Sequence, residues 1–131
     1  MTSVPKAQVI FYQDEGGDAP VLEWLKALLK QDRKSYANCV ARIQQLASTG
    51  YELRRPAADY LRDGIYELRA KHIHVQYRIL FDGQNIAILA HAITKDTDQV
   101  PIADIDRAIR RKRLFEKNPN IHTYEEDLDN G

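Results

Sequence analysis

Two arginines stand at spacings that suit chemistry on a phosphate. Arg69 closes the run Asp63-Gly64-Ile65-Tyr66-Glu67-Leu68-Arg69, and Arg78 sits inside Gln76-Tyr77-Arg78-Ile79-Leu80. Both runs alternate apolar and polar residues as half-buried strands do, so each arginine falls where a side chain can turn away from the core. A guanidinium is an always-charged planar fork that fits phosphate oxygens two at a time. Two of them on adjacent strands suit a phosphodiester. The same spacing also suits ordinary ion pairing, with Glu67 sharing a face with Arg69 and Arg78 or His74 across the strands. His91 and Lys95 are two strand-steps apart with Ile93 between, which allows all three one face. His72-x-His74 has a spacing that can hold a transition metal, but only Cys39 and distant carboxylates remain to complete a shell. The expectation is therefore no metal and no cofactor. Cys39, the only cysteine, falls on the apolar stripe of a helical pattern and reads as packing.

These residues need a sheet and something to back it. Ala7 to Tyr12 reads as a first strand. Asp14-Glu15-Gly16-Gly17 turns the chain, Asp18 is a candidate N-cap, and Pro20 suits a first helical turn. Val21, Leu22, Trp24, Leu25, Leu28 and Leu29 recur at helical spacing. Asp32 can cap a second helix striped by Tyr36, Cys39, Val40, Ile43, Leu46 and Ala47, which Gly50 ends. Tyr51 to Leu61 reads as irregular. Ile65–Lys71, His72–Phe81 and Ile86–Thr94 read as three further strands, with a tight hairpin turn at Asp82-Gly83-Gln84-Asn85. On the second of these, Ile73, Val75, Tyr77, Ile79 and Phe81 face one way and His72, His74, Gln76, Arg78 and Leu80 the other. Pro101 opens a last helix with Ile102, Ile105 and Ile109 inward. The expected fold class is α+β: a small, mainly antiparallel four-stranded sheet in the order β-α-α-β-β-β-α. A helix hairpin covers one face, and the other is left open to solvent or a partner.

The 131 residues are one ordinary domain, expected over 1–117, and 44% of them are hydrophobic. No apolar run nears the roughly 20 residues needed to span a bilayer. The first eight residues lack a secretory pattern, and one cysteine suits a reducing cytoplasm, so the expected location is cytoplasmic. The 19 basic and 19 acidic residues balance. The segment 118–131 carries Glu125, Glu126, Asp127 and Asp129 without a basic residue, and reads as a flexible acidic tail. The body before it holds 19 basic residues against 15 acidic, with a run at Arg107, Arg110, Arg111, Lys112, Arg113 and Lys117. That excess permits contact with nucleic-acid phosphates without requiring it.

The chain resembles the RelE/ParE superfamily of bacterial toxins, in particular its phage-related, HigB-like branch. The matching pieces are Phe11-Tyr12, Gly17-x-x-Pro20-Val21, Trp24-Leu25-x-x-Leu28, the Asp63–Arg69 run, Tyr77-Arg78-Ile79 and Leu89-x-His91-x-Ile93-x-Lys95. Pro101 and Ile105-Asp106-Arg107-Ala108 also fit, so the likeness runs from about Val9 to Phe115. It departs at Asp96 and Asp98, where basic or neutral residues are usual, and in the acidic extension.

The resemblance implies the toxin of a type II toxin–antitoxin pair that cuts messenger RNA on the ribosome without a metal. The ribose 2′-OH attacks its own phosphate, so the enzyme must grip that phosphate and move protons. Carried onto this sequence, Arg69 and Arg78 clamp the phosphate, His91 is the acid or base, and Lys95 adds charge. His74, Gln76, Lys71, Arg110, Arg111 and Arg113 become RNA-binding candidates. The implied partner is a small antitoxin, with a helix-turn-helix domain in the HigA-like manner, which alone would reach operator DNA. Two other functions stay open: a ParE-like toxin that binds gyrase and cuts nothing, and a catalytically weakened module that binds only its antitoxin.

Overall fold

A computed structural model describes residues 7–50, 53, 56–72, 75–82, 86–95, 99–126 and 128, with the backbone alone at 75–78, 80–82 and 95. The elements are β1 (Gln8–Tyr12), α1 (Pro20–Gln31), α2 (Arg33–Thr49), β2 (Ala58–Arg62), β3 (Ile65–His72), β4 (Val75–Asp82), β5 (Ile86–Lys95), α3 (Ile102–Lys117), α4 (Pro119–His122) and β6 (Thr123–Tyr124). The fold is α+β, as expected from the alternation of the segments. The sheet has six strands in the order β2-β3-β4-β5-β1-β6. Among the described residues only the β1–β5 pair is parallel; the other pairings are antiparallel.

Local signals explain most boundaries. The Asp14 carboxylate accepts the Gly16 and Asp18 backbone N–H groups, both at 3.0 Å, and Gly17 turns with φ 91°. Asp18 is thereby used up in closing the loop. It does not cap α1; Ala19 takes that position with Pro20 behind it. Asp32 does cap α2, accepting from the Lys34 and Ser35 amides while its second oxygen takes the Ser35 hydroxyl at 2.7 Å. These bonds favour the charged form and hold its pKa below the usual value. Gly50 ends α2 at φ 68°.

The helix hairpin fills one side of the sheet. Val21, Leu22, Leu25 and Leu28 from α1 and Tyr36, Cys39, Val40, Ile43 and Leu46 from α2 pack on Phe11, Leu68, Ala70, Ile79, Ala87 and Leu89. Fully burying one such aliphatic side chain is worth about 1.5–3 kcal/mol. Burial pushes the Cys39 thiol up to about 12, which leaves it no thiolate chemistry at neutral pH.

The opposite side is not open, as the sequence reading has it. Helix α3 lies across it. Ile105, Ala108 and Ile109 pack on Ile65 and Ala90, and Leu114 and Phe115 on Ile10, Tyr12 and Ile88. Ile102, expected inside, is 71% exposed because it precedes the stretch of helix that meets the sheet.

Three strand features also differ from expectation. The "irregular" segment contains β2, joined to β3 by a two-residue turn in which Asp63 and Gly64 both have positive φ (51° and 83°). His72 closes β3 rather than opening β4. It pairs with Val75, so the chain reverses there and His72 no longer shares a strand face with Arg78. The segment after Asn118 does not leave the fold: β6 pairs with β1 through Phe11–Tyr124 and Tyr12–Thr123. The Gly83–Asn85 part of the expected hairpin turn and residues 73, 74 and 96–98 lie outside the described residues. Among the described residues, no helix is long and apolar enough to cross a membrane.

Candidate functional site

Register builds the site. Along β3 and β4, Glu67 pairs with Leu80, Arg69 with Arg78, and Lys71 with Gln76. Along β4 and β5, Leu80 pairs with His91, Arg78 with Ile93, and Gln76 with Lys95. Directly paired positions share a face. Three successive rows therefore run across three strands: Glu67–Leu80–His91, Arg69–Arg78–Ile93 and Lys71–Gln76–Lys95.

A bulge decides which face that is. Phe81 pairs with Leu89 and Leu80 with His91, which leaves Ala90 as an extra residue in β5. Strict alternation would send His91 to the side of Ala87 and Leu89, under the hairpin. The extra residue flips the parity of everything after it. His91, Ile93 and Lys95 join the α3 side, in register with Arg69 and Lys71. The arginine positions 69 and 78 thus stand as immediate neighbours on one face, as expected.

The side chains are less free than the sequence suggests. Glu67 is only 2% exposed and accepts Arg69 Nε at 2.7 Å, and Arg69 Nη2 lies 3.4 Å from Asp59. Arg69 keeps 28% of its side chain exposed and is held by two carboxylates. The ion-pairing role that its spacing allowed is therefore present.

His91 differs more sharply from expectation. It is 9% exposed. Its Nε2 lies 2.7 Å from Asp104 Oδ1 and its Nδ1 lies 3.2 Å from Arg111 Nη1. Arginine can only donate, so Nδ1 accepts and the proton sits on Nε2, facing the carboxylate. Burial lowers the His91 pKa; the Asp104 hydrogen bond opposes this and the Arg111 charge adds to it. With both nitrogens engaged, the ring is held in place between α3 and β5, with Asp104 facing Nε2 where an acid or base would meet its substrate.

Arg111 also departs from its expected place in an RNA-facing set. Its Nη1 donates to the Ala90 carbonyl at 2.8 Å, and its guanidinium lies 5.7 Å over the Tyr12 ring. It ties α3 to the bulge. Arg110 and Arg113 remain exposed on α3, and Lys71 is exposed at the end of the row ladder. For Arg78, Gln76 and Lys95 the backbone gives ladder positions, and His74 lies outside the described residues. Among the described residues no three His, Cys, Asp or Glu side chains gather as a metal site would need.

Asp59, Asp104 and Arg62 are the residues the sequence reading passed over. Asp59 and Arg62 sit in β2, most of which reads as irregular from sequence. Asp104 lies in the first turn of α3, where an acidic residue is ordinary and nothing marks it as a histidine partner.

One family model matches the chain. It is described as phage derived protein Gp49-like (DUF891), and it covers residues 23–113, more than half of the length. That span includes α2, the row ladder and most of α3. A search of curated proteins returns no match.

Proposed function

The chain belongs to the phage-derived Gp49-like proteins, a RelE/ParE-like family of toxins in toxin–antitoxin systems, and from that premise we propose that it is a HigB-like mRNA endonuclease. It works on translating ribosomes, in the cytoplasm, and without a metal. The observation that supports this reading is the direct Arg69–Arg78 pairing with Lys71 and Lys95 in the next row. Four basic positions on two adjacent rows make a compact platform for one phosphodiester.

In the proposed reaction the ribose 2′-oxygen forms a bond to the adjacent phosphorus while the bond to the next 5′-oxygen breaks. The products are a 2′,3′-cyclic phosphate and a 5′-hydroxyl. Arg69 and Arg78 hold the non-bridging oxygens as negative charge builds. One proton leaves the 2′-OH and one reaches the departing 5′-oxygen. Both ring nitrogens of His91 are engaged, so in this scheme Lys95, as its ammonium, gives a proton to the departing 5′-oxygen and the 2′-OH proton passes to solvent, while His91 helps fix α3 against β5. A cognate antitoxin, HigA-like with a helix-turn-helix domain, holds the toxin inactive and alone contacts operator DNA.

The test is a purified translation reaction with a message whose cut site has been mapped. Replacing the ribose there with 2′-deoxyribose abolishes that cut in this mechanism. A cut that persists at the deoxy position excludes it. One observation favours a second reading: the carboxylates on Arg69 and the enclosed His91 suit a member that binds without cutting, either a ParE-like gyrase binder or a module for its antitoxin alone. Growth arrest with DNA-damage signalling and intact messages identifies the gyrase binder. Absence of arrest identifies the module.

A further inference from the structure

At the far end of β3 from the row ladder, a groove of about 400 Å³ opens between α3 and the β2–β3 turn. Arg62, Asp63, Asp106, Arg110, Arg113 and Lys117 line it, over a floor of Ile109 and Leu114. Arg62 bonds both carboxylates, Asp63 at 3.0 Å and Asp106 through its other terminal nitrogen. The two acids are thus turned onto one arginine. Arg110, Arg113 and Lys117 are exposed, and among the described residues none of them has a carboxylate partner. They stand at i, i+3 and i+7, so they share one helix face over about 10 Å. Four cations against two acids leave the groove at +2.

We infer that this groove is a phosphate-binding site, separate from the row ladder. It stands about 13 Å along β3 from the Arg69 position, four strand residues from Ile65, the partner of Arg62. Phosphate fits better than a carboxylate here. Its oxygens sit tetrahedrally on one centre, so two guanidiniums three residues apart can grip a single group, whereas a carboxylate offers two oxygens and fills one fork. The apolar floor gives a sugar or base something to lie on, and the volume suits a nucleotide-sized group. Arg62 neutralises the nearby acids that would repel the phosphate. The site rests on the RNA reading for its natural ligand, though not for its geometry.

The experiment measures binding, not cutting. Fluorescence anisotropy follows a labelled 2′-O-methyl RNA oligonucleotide, which this chemistry cannot cleave. Arg110→Gln with Arg113→Gln should weaken binding at least tenfold at low salt. It should also reduce the slope of log affinity against log salt by roughly one to two, since each lost phosphate contact on a single strand removes about 0.7. Both residues are exposed, and an unchanged melting temperature confirms that the variant is folded. Competition by adenosine monophosphate at concentrations that barely displace the oligonucleotide assigns the site to RNA backbone. Displacement at matching concentrations assigns it to free nucleotide phosphate. Unchanged affinity and slope in the double variant overturn the site, as does a glutamate-rich peptide that competes better than RNA. Because no message is cut, failure here leaves the nuclease proposal standing, and failure of cleavage leaves this one standing.

Discussion

Arg69 faces two demands. Glu67 needs it, because a carboxylate 2% exposed is costly without a charged partner, and the proposed phosphate clamp needs it as well. Charged hydrogen bonds of this kind are worth about 1.5–3 kcal/mol, so Arg69→Ala should destabilise the protein by about 2 kcal/mol in urea unfolding. Adding Glu67→Gln should recover part of that loss; no recovery would mean that the pair is not coupled. Loss of toxicity in Arg69→Ala therefore has to be read beside its stability. His91 gives a second expectation. Its folded pKa lies below the ordinary 6.5, so as pH falls the unfolded chain takes up the proton first. The stability contributed by neutral His91 is complete above about 6.5 and is lost as pH falls from there through the lowered folded value. The charged and polar groups around the ring are Asp104, Arg111 and Arg107. Between pH 7.5 and 5 the melting temperature of the native protein should drop faster than that of His91→Gln. Parallel slopes would remove His91 as the cause.

Among elements, the C-terminal addition carries the clearest test. His122 is 3% exposed, stacks on Tyr12 with ring centres 5.2 Å apart, and donates from Nδ1 to the Gln13 carbonyl at 2.8 Å. It fastens β6 to the outer edge of β1, an edge that would otherwise offer unpaired backbone groups. His122→Ala should cost about 2 kcal/mol, one ring stack and one hydrogen bond, measured by denaturant unfolding. A loss under half that would show that the segment rests on the edge without stabilising it. The sequence hides this segment because Asn118–Gly131 is polar and acidic, and its anchors are single side chains rather than a periodic stripe. β2 was hidden differently. Asp63-Gly64 is a strong hairpin signal, and applying it there, as at Asp82-Gly83, would have exposed Ala58–Arg62 as a strand. The two helices of the hairpin were readable because their leucines, isoleucine and valines repeat at 3.6-residue spacing and their ends carry Pro20, Asp32 and Gly50.

At the scale of the whole molecule, two layers of helix sandwich one sheet, and function is proposed where the second layer ends. Alternation in the sequence was enough to turn Arg69 and Arg78 away from the core on adjacent strands; their direct pairing depends on the reversal between His72 and Val75, which alternation alone does not fix. It could not show that α3 covers the neighbouring rows, since that depends on where Ile105, Ala108 and Ile109 find a partner. Nor could it show His91 enclosed by Asp104 and Arg111, residues 13 and 20 positions away. The expected platform thus shrinks to the two rows past His91, where basic positions 69, 71, 78 and 95 gather. The most direct measurement maps the 5′ ends of messages in cells after induced expression, comparing the native chain with an Arg78→Ala, Lys95→Ala variant that accumulates to the same level. Discrete new ends within translated codons should appear with the native chain and vanish with the variant. Intact messages under the native chain, or the same ends at undiminished strength under the variant, would contradict RNA cleavage at these rows.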